Sequence, residues 1–477
     1  MNSAVKQIEF GDDSGIRLRM LVCAETESED KESLVDTRLE EIQTLFREEE
    51  GAPLSLLKQY LRVWTRSHLQ TEHIQDVLEL STKARDDFSV LVTVGIGASD
   101  LSARVFHEIA NHPYHNLLSS SERGGSPEVY FTGDTFDPIR LKSLLEMLKS
   151  RNLLHKTLLN VVSKSGQTGE TLATLMIIKD RLQKEVVNWR KQIIATTGLT
   201  SKSLLYQLHQ ESELYGVLPV PEGVGGRFSA FSPVGLFFLA MTAGAGETPK
   251  DRVNAAVEGA QHADKNFQLP YAHPHNTAYH LALWLDSVEK YYGAGSIVFY
   301  NYADNIRLGE WFVQLYIESI QDRNIGSNVI AAKGPTSSHS ILNGILAGPK
   351  EKAIVFIHWE DLGADLTIPK TNEGNELEAF EGLSLNDCQT ASYRGTEADF
   401  TENGIPNVTL TLPRRDIRNV CQLMRTLMDT VAVKGRLQEL HLTDGVPTLA
   451  EELTYHQSAV EGYKKRTEEI ARSMQRR

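Results

Sequence analysis

Short apolar runs alternate with helix-forming stretches along most of this chain, and this alternation constrains the fold more than any other feature. In the first half the apolar runs are Phe88–Ile96, Val129–Thr132, Leu158–Val162 and Ile193–Thr196. In the second half they are Ser296–Tyr300, Val329–Ala332, Ala353–His358 and Val408–Leu412. Strands that are apolar throughout are typical of parallel sheets covered by helices on both faces. We predict an α/β protein with two tandem, doubly wound, mainly parallel sheets and helical N-terminal and C-terminal segments.

Changes in composition and in the pattern of apolar residues along the chain predict four regions. Residues 1–85 are acidic and are expected to form a mainly helical segment, with a turn at Glu48–Pro53. The two sheet domains are expected at 86–250 and 251–442, with an irregular insertion at 359–405. Residues 443–477 are expected to form a tail with a final helix. A chain of 477 residues is long enough for each domain to bury its own core.

Charge and cysteine content exclude several classes of protein. The formal net charge is −14, which disfavours a nucleic-acid or acidic-membrane binder, because both need a positive face. The three cysteines have no CxxC spacing, which fits a reducing compartment. No signal-peptide pattern opens the chain, and the most apolar run, Val234–Ala245, is too short for a bilayer. We therefore expect a cytoplasmic protein that binds neither nucleic acid nor membrane.

The segment from Ser163 to Thr171 is the strongest candidate for a ligand site. It follows an apolar run and opens a helix pattern, and ligands of doubly wound sheets bind at this edge. A helix N-terminus offers free N–H groups and partial positive charge, so hydroxyls and an ammonium here predict a phosphate-binding loop. The residues are Ser163, Lys164, Ser165 and Thr168. The alternative is an ordinary helix cap rich in hydroxyl residues.

Two glycine-containing turns are further candidates. In Gly95–Asp100, an aspartate stands where a dinucleotide fingerprint needs its third glycine, so we predict no nicotinamide site. The turn either presents Ser99 to a polar ligand or is a plain glycine turn. Arg227 follows two glycines and precedes a core segment, from which it can reach a cleft and stabilise a developing oxyanion. From spacing alone, a structural ion pair explains Arg227 as well.

The helix predicted at Asn305–Gln321 carries one narrow polar stripe on an otherwise apolar surface. The stripe consists of Arg307, Glu310, Gln314, Glu318 and Gln321. Glu318 projects within about 20° of Trp311, at the margin of the apolar face. A carboxylate placed there is either a general base facing a cleft or part of a solvated edge.

His339 and Lys464 carry weaker signals. His339 lies near a predicted helix start after a strand, where a histidine transfers protons near neutral pH or simply has a structural role. Lys464 lies beside Glu461 and Lys465, an i,i+4 pair typical of an exposed helix. No HExxH or similar cluster occurs, so we predict neither a metal nor any other cofactor.

Six segments, in this order, resemble the phosphoglucose isomerase family. They are GIGASDL, VVSKSGQTGET, GGRFSAFSPVGL, WFVQLYIES, GPTSSHS and HQSAVEGYKK. The resemblance covers nearly all of the chain beyond the first helical part. It implies tandem sugar-isomerase domains of flavodoxin-like type and the interconversion of glucose 6-phosphate and fructose 6-phosphate through a cis-enediol(ate), a step of glycolysis and gluconeogenesis.

The resemblance also implies a role for each matched residue. Glu318 matches the base, Arg227 the group that stabilises the enediolate, and His339 and Lys464 the ring-opening positions. The phosphate loop matches Ser163, Lys164, Ser165 and Thr168, and the sugar pocket matches Ser99, Gln314 and Gln457. A homodimer is implied, with the histidine supplied by the partner subunit.

The sequence departs from the family at three places and leaves other functions open. Ala98 replaces a glycine, Ser165 stands where many members have threonine, and the segment after Ser319 differs. One alternative is a non-catalytic sensor of sugar phosphates. A second is an isomerase acting on mannose 6-phosphate or an amino sugar. A glutamine-dependent amino-sugar synthase is disfavoured, because no N-terminal domain with a cysteine nucleophile is found.

Overall fold

A computed structural model of the chain describes residues 5–11, 15–23, 29–321, 324–370, 376–440, 454–455 and 461–475. The strands are β1 (Val5–Gly11), β2 (Arg17–Cys23), β3 (Val90–Val94), β4 (Glu128–Thr132), β5 (Thr157–Ser163), β6 (Ile193–Thr197), β7 (Gly216–Pro219), β8 (Ser296–Asn301), β9 (Asn328–Lys333), β10 (Lys352–Asp361) and β11 (Asn407–Arg414).

In the described ranges, fifteen α-helices lie between and around these strands. They are α1 (Glu29–Gly51), α2 (Leu54–Gln59), α3 (Thr71–Asp87), α4 (Ala98–Ala110), α5 (Pro138–Ser150), α6 (Gly169–Glu185), α7 (Leu204–Ser212), α8 (Pro233–Met241), α9 (Pro249–Gln268), α10 (Thr277–Ser287), α11 (Ile306–Ile320), α12 (Leu342–Leu346), α13 (Leu385–Glu402), α14 (Ile417–Leu440) and α15 (Glu461–Gln475). Short 3-10 helices occur at Val63–Leu69, His115–Leu117, Leu154–Lys156, Trp189–Gln192, Gly226–Phe228, Thr336–His339 and Glu376–Phe380, and a π-helix at Val288–Tyr292.

The first sheet contains five strands in the order β4-β3-β5-β6-β7, and each neighbouring pair is parallel. Every residue of β3, β5 and β6 is buried, because helices cover both faces. The carboxyl ends of β3 and β5 therefore lie side by side. Val94 pairs with Val161 there, which brings the turns after these two strands to one edge of the sheet.

The second sheet contains six strands in the order β1-β2-β11-β10-β8-β9. Its strands β8 to β11 are parallel, and the hairpin β1–β2 adds to β11 in the antiparallel direction. This hairpin was not predicted from the sequence. In β2, Leu18 and Met20 are buried while Arg17 and Arg19 are half-exposed, so the strand has the alternation of a sheet with one buried face.

Two buried helices join the sheets into one core. All nine residues of α8 are buried, and its start is fixed by Ser232, which caps the first turn, and by Pro233. The long helix α14 packs along α9, where Gly259 leaves no room for a Cβ against the Arg418 carbonyl. The α/β fold class with two mainly parallel sheets is confirmed; the four domain boundaries stay a prediction.

Three local predictions were wrong. Residues 359–405 are not wholly irregular, because α13 lies within them and begins at a capping box formed by Ser384 and Asp387. Helix α1 continues to Gly51, through most of the turn that was predicted at Glu48–Pro53. The helix expected to start near His339 is a 3-10 turn, Thr336–His339, followed by α12.

No helix among the described residues is both long and apolar enough to cross a bilayer.

Candidate functional site

The turn between β5 and α6, the predicted phosphate-binding loop, lies at the carboxyl edge of the first sheet. The Ser163 and Thr168 hydroxyls lie 2.9 Å apart, and the Ser165 hydroxyl accepts a hydrogen bond from the Gln167 N–H at 3.2 Å. Gly166 has a φ of +63°, and a Cβ on it would lie 2.2 Å from the Ser203 hydroxyl, so only glycine fits. The turn therefore gathers several hydroxyls above the free N–H groups that begin α6.

Lys164 joins this turn to the next candidate segment. Its ammonium donates a 2.8 Å hydrogen bond to the Val224 carbonyl, three residues before Arg227. Much of the residue is exposed, but desolvation at the ammonium lowers the pKa of Lys164. A partly desolvated ammonium on an exposed residue is suited to pair with an anion.

The 3-10 turn Gly226–Phe228 places Arg227 in the interior. The residue is only 2% exposed, and its Nε donates to the Ser319 hydroxyl at 2.7 Å. Its Nη2 donates to the Thr454 carbonyl at 2.6 Å, and its Nη1 lies 3.6 Å from Glu318 Oε2. Burial lowers the pKa of Arg227 to about 10, and the Glu318 carboxylate opposes that shift. The guanidinium is therefore a fixed cation at neutral pH.

Glu318 lies on α11, on the predicted polar stripe. Its side chain is 26% exposed, and its Oε1 accepts a 3.0 Å hydrogen bond from Gln314 Nε2. Arg227 is thus paired with the candidate base itself, so the two sequence interpretations of Arg227, an ion pair or a cleft residue, describe one arrangement. A carboxylate that accepts from an amide, lies near a cation and is partly exposed to solvent can exchange protons with a bound molecule.

The turn after β3 completes the wall around Glu318. A Cβ added to Gly97 would lie 3.0 Å from Gln314 Nε2, and one added to Gly226 would lie 3.5 Å from the Ala98 Cβ. Ser99, half-buried, lies in the first turn of α4 beside them. The structure therefore brings Arg227, Gln314 and Glu318 together, and the start of α4, which carries Ser99, lies against Gln314.

Two of the sequence candidates are exposed in the described part of the chain. His339 is exposed at the end of the 3-10 turn after β9, an edge strand of the second sheet. Lys464 is exposed on α15, although its neighbour Tyr463 donates to Glu170, in the first turn of α6, at 3.4 Å. Gln457 lies outside the described residues. Within a single chain, the described contacts therefore assemble the anion turn and the carboxylate but not the histidine.

Two groups that hold Arg227 were not predicted. Ser319 directly follows the candidate base and ends the segment WFVQLYIES, so it could have been recognised from the sequence. The Thr454 carbonyl is a main-chain group more than two hundred residues after Arg227 in sequence, and no pattern of side chains predicts its contact with Arg227.

No group of three or more His, Cys, Asp or Glu side chains with the spacing of a metal site occurs in the part of the chain that the structure describes.

Comparison with known proteins identifies relatives of this chain. The family model described as phosphoglucose isomerase matches residues 70–341, more than half of the chain. A glucose-6-phosphate isomerase of Rubrobacter xylanophilus is 31% identical over 440 residues, which cover 90% of this chain and 96% of the relative. A glucose-6-phosphate isomerase of Symbiobacterium thermophilum is 30% identical over 372 residues, covering 77% of this chain and 79% of the relative.

Solved structures share the fold. A hypothetical protein from Thermus thermophilus superposes with a TM-score of 0.74 at 26% identity, covering 91% of this chain and 94% of the other. A glucose-6-phosphate isomerase from Chlamydia trachomatis superposes with a TM-score of 0.72 at 17% identity, covering 98% of this chain and 90% of the other. Two tandem sheets joined in this way are therefore an architecture found in other proteins.

Proposed function

This chain belongs to the phosphoglucose isomerase family, and we propose which side chain carries out each step of the reaction. The chain is an aldose–ketose isomerase that interconverts glucose 6-phosphate and fructose 6-phosphate through a cis-enediol(ate). The reaction belongs to glycolysis and gluconeogenesis. The observation that carries the assignment of roles is the contact of Glu318 with both Arg227 and Gln314.

The phosphate is bound by the turn after β5. Ser163, Ser165 and Thr168 donate hydroxyl hydrogen bonds, Lys164 supplies a cation, and the first N–H groups of α6 face the same edge. Anchoring one end of the sugar there makes the proton transfers at the other end effectively unimolecular.

Glu318 is the base. In the open-chain aldose its carboxylate takes the proton from C2, the C–H electron pair forms the C1=C2 bond, and the C1 carbonyl oxygen takes up the negative charge. Arg227 stabilises that charge, since it is a buried cation 3.6 Å from the carboxylate. The carboxyl group then returns the proton to C1 while the proton of the C2 hydroxyl passes to the C1 oxygen, so C2 becomes the ketone, C1 carries the hydroxyl, and the net change is a shift of two hydrogens. Gln314, Ser99 and Gln457 line the sugar pocket.

Ring opening is assigned to His339 and Lys464. Both side chains are exposed in the single chain. The active protein is a homodimer, and His339 acts in the site of the partner subunit. The enzyme works in the cytoplasm and uses no metal or other cofactor.

Conversion of fructose 6-phosphate to glucose 6-phosphate in the presence of a metal chelator tests this function. The purified chain is expected to be fully active, and Glu318→Gln is expected to lose about 10²–10⁴-fold in kcat while still binding the substrate. Glu310→Gln is the matched control, because Glu310 lies on the same polar stripe of α11 but pairs with Arg307 instead. Full turnover by Glu318→Gln would show that another group is the base.

A further inference from the structure

The position of Arg227 depends on a segment near the end of the chain. Its Nη2 donates to the Thr454 carbonyl at 2.6 Å, and its Nε donates to Ser319. The second contact comes from α11, which also carries Glu318. The contact with Thr454 comes from a short turn, residues 454–455. The contacts that hold this turn therefore help to fix the position of the guanidinium.

Tyr455 is the residue through which this turn is held. It is only 6% exposed, and its hydroxyl accepts a hydrogen bond from Arg62 Nη1. Its ring packs edge-on against Phe228, the neighbour of Arg227, with centroids 5.4 Å apart. Tyr455 thus contacts the segment that bears Arg227 and, through Arg62, the N-terminal part of the chain.

Arg62 is itself fixed by a buried carboxylate. Its Nε donates to Glu49 Oε2 at 2.6 Å, and Glu49 also pairs with Arg436 on α14. Arg62 is 2% exposed and Glu49 is 5% exposed. A charge-assisted contact between buried groups has one well-defined geometry, so Arg62 presents its remaining nitrogens in a fixed direction.

Gly435 lets the turn approach α14. A Cβ on Gly435 would lie 2.1 Å from the Thr454 hydroxyl oxygen and 3.1 Å from the Thr454 Cβ. The helix therefore needs a residue without a side chain at this point, although glycine weakens a helix interior. The turn at 454–455 is enclosed between this gap in α14 and the guanidinium of Arg62.

We propose that Arg62, Tyr455 and Gly435 are positioning residues for Arg227, which set its distance from Glu318 through the Thr454 carbonyl. The inference rests on the proposed role of Arg227 in opposing the enediolate charge. A displaced guanidinium stabilises the transition state less well. It does not alter the phosphate turn, which lies in a different segment, so the loss falls on kcat rather than on KM.

Tyr455→Phe tests the proposal, because it keeps the ring and removes only the hydroxyl that binds Arg62. The expected result is a loss of about 10-fold to about 100-fold in kcat with an unchanged KM. Tyr279→Phe is the matched control. Tyr279 is also fully buried and stacks on Phe267, but its hydroxyl has no hydrogen-bond partner among the described residues. The control is expected to keep the kcat of the wild type, and thermal unfolding shows whether both variants are equally folded.

Gly435→Ala provides an independent variant, since it pushes Thr454 from the other side and adds helix propensity. It is expected to show the same loss of kcat at unchanged KM. Equal kcat values for Tyr455→Phe, Gly435→Ala and Tyr279→Phe would overturn the inference. A wild type without isomerase activity would contradict the proposed function instead. Crystal structures of the wild type and Tyr455→Phe then decide the inference alone: an unmoved Arg227 overturns it, and a longer Arg227–Thr454 distance supports it.

Discussion

Arg227 and Lys164, two of the cations assigned to the reaction, have different surroundings, and these affect the pKa of each. Arg227 is fully buried between a carboxylate, a hydroxyl and a carbonyl, and its pKa of about 10 leaves it charged at any physiological pH. Lys164 has one carbonyl partner, and desolvation lowers its pKa from the ordinary lysine range. As a result, Lys164 in the phosphate turn loses its charge at a lower pH than an ordinary lysine does.

We predict that substrate binding weakens earlier on the alkaline side than an ordinary lysine would allow. The charged form of Lys164 binds the phosphate, so KM is expected to rise as the pH approaches the lowered pKa, while below it KM stays flat. The measurement is KM for fructose 6-phosphate between about pH 7 and about pH 10. Lys164→Met should have a higher KM at neutral pH and should lack the alkaline rise.

Lys184→Met is the control for this experiment, because Lys184 is exposed and pairs with Asp180 on the outer surface of α6. It should reproduce the wild-type profile. An alkaline rise of KM that persists in Lys164→Met would assign the titrating group elsewhere.

The site residues differ in how far sequence alone could predict them. Glu318 stands out from a helical stripe, and the hydroxyl turn stands out from its place after a strand, since both signals are local. Arg227 could not be decided from spacing, because its partner, Glu318, is on another element. The contact of Arg227 with the Thr454 carbonyl could not be predicted at all, since every residue has a carbonyl group.

At the scale of elements, the site depends on how closely α4 and α11 approach. Gly97, the residue before α4, has a φ of +59°, and a Cβ there would lie 3.0 Å from Gln314 Nε2. The same nitrogen donates to Glu318. The absence of a side chain at Gly97 thus lets the first turn of α4 support the amide that orients the base.

We predict that Gly97→Ala lowers both stability and kcat. A side chain at this φ costs about 1–3 kcal/mol, and its methyl group displaces Gln314 from Glu318. The expected loss of kcat is about 10-fold, as for a small misplacement of a catalytic group. Steady-state kinetics and thermal unfolding measure the two effects.

Gly125→Ala separates backbone strain from crowding. Gly125 also has a positive φ, +76°, but no atom lies within 4 Å of a Cβ built on it. It should lose stability and keep its kcat. If both variants lost the same fraction of kcat, the contact with Gln314 would not be the cause.

Elements with a local signal were predicted well, and those defined by distant partners were not. The buried strands β3, β5 and β6 are apolar throughout, so their runs marked them. The β1–β2 hairpin was not predicted, because the acidic residues 1–85 were expected to be mainly helical. Leu18 and Met20 nevertheless alternate with arginines in β2. Its pairing with β11, nearly four hundred residues later, has no local counterpart in the sequence.

At the scale of the molecule, both ends of the chain support the region between the two sheets. The N-terminal segment supplies Glu49 and Arg62, and residues 454–455 supply the carbonyl that holds Arg227. His339, by contrast, lies exposed beyond an edge strand. One chain therefore brings together the proposed base and the proposed oxyanion-stabilising group, and in our proposal the histidine comes from the second subunit of the dimer.

Mixing two inactive variants tests whether the histidine crosses between subunits. In a dimer of a Glu318→Gln subunit with a His339→Ala subunit, one site has both substitutions and the other has the intact Glu318 with the intact partner histidine. Random reassortment of equal amounts should make half of the dimers mixed, each with one working site, and so restore about a quarter of wild-type activity. If each site used the histidine of its own chain, no intact site would form. Activity of the reassorted mixture no greater than the mean of the two separate variants would therefore place His339 in its own subunit's site and remove the basis for a shared one.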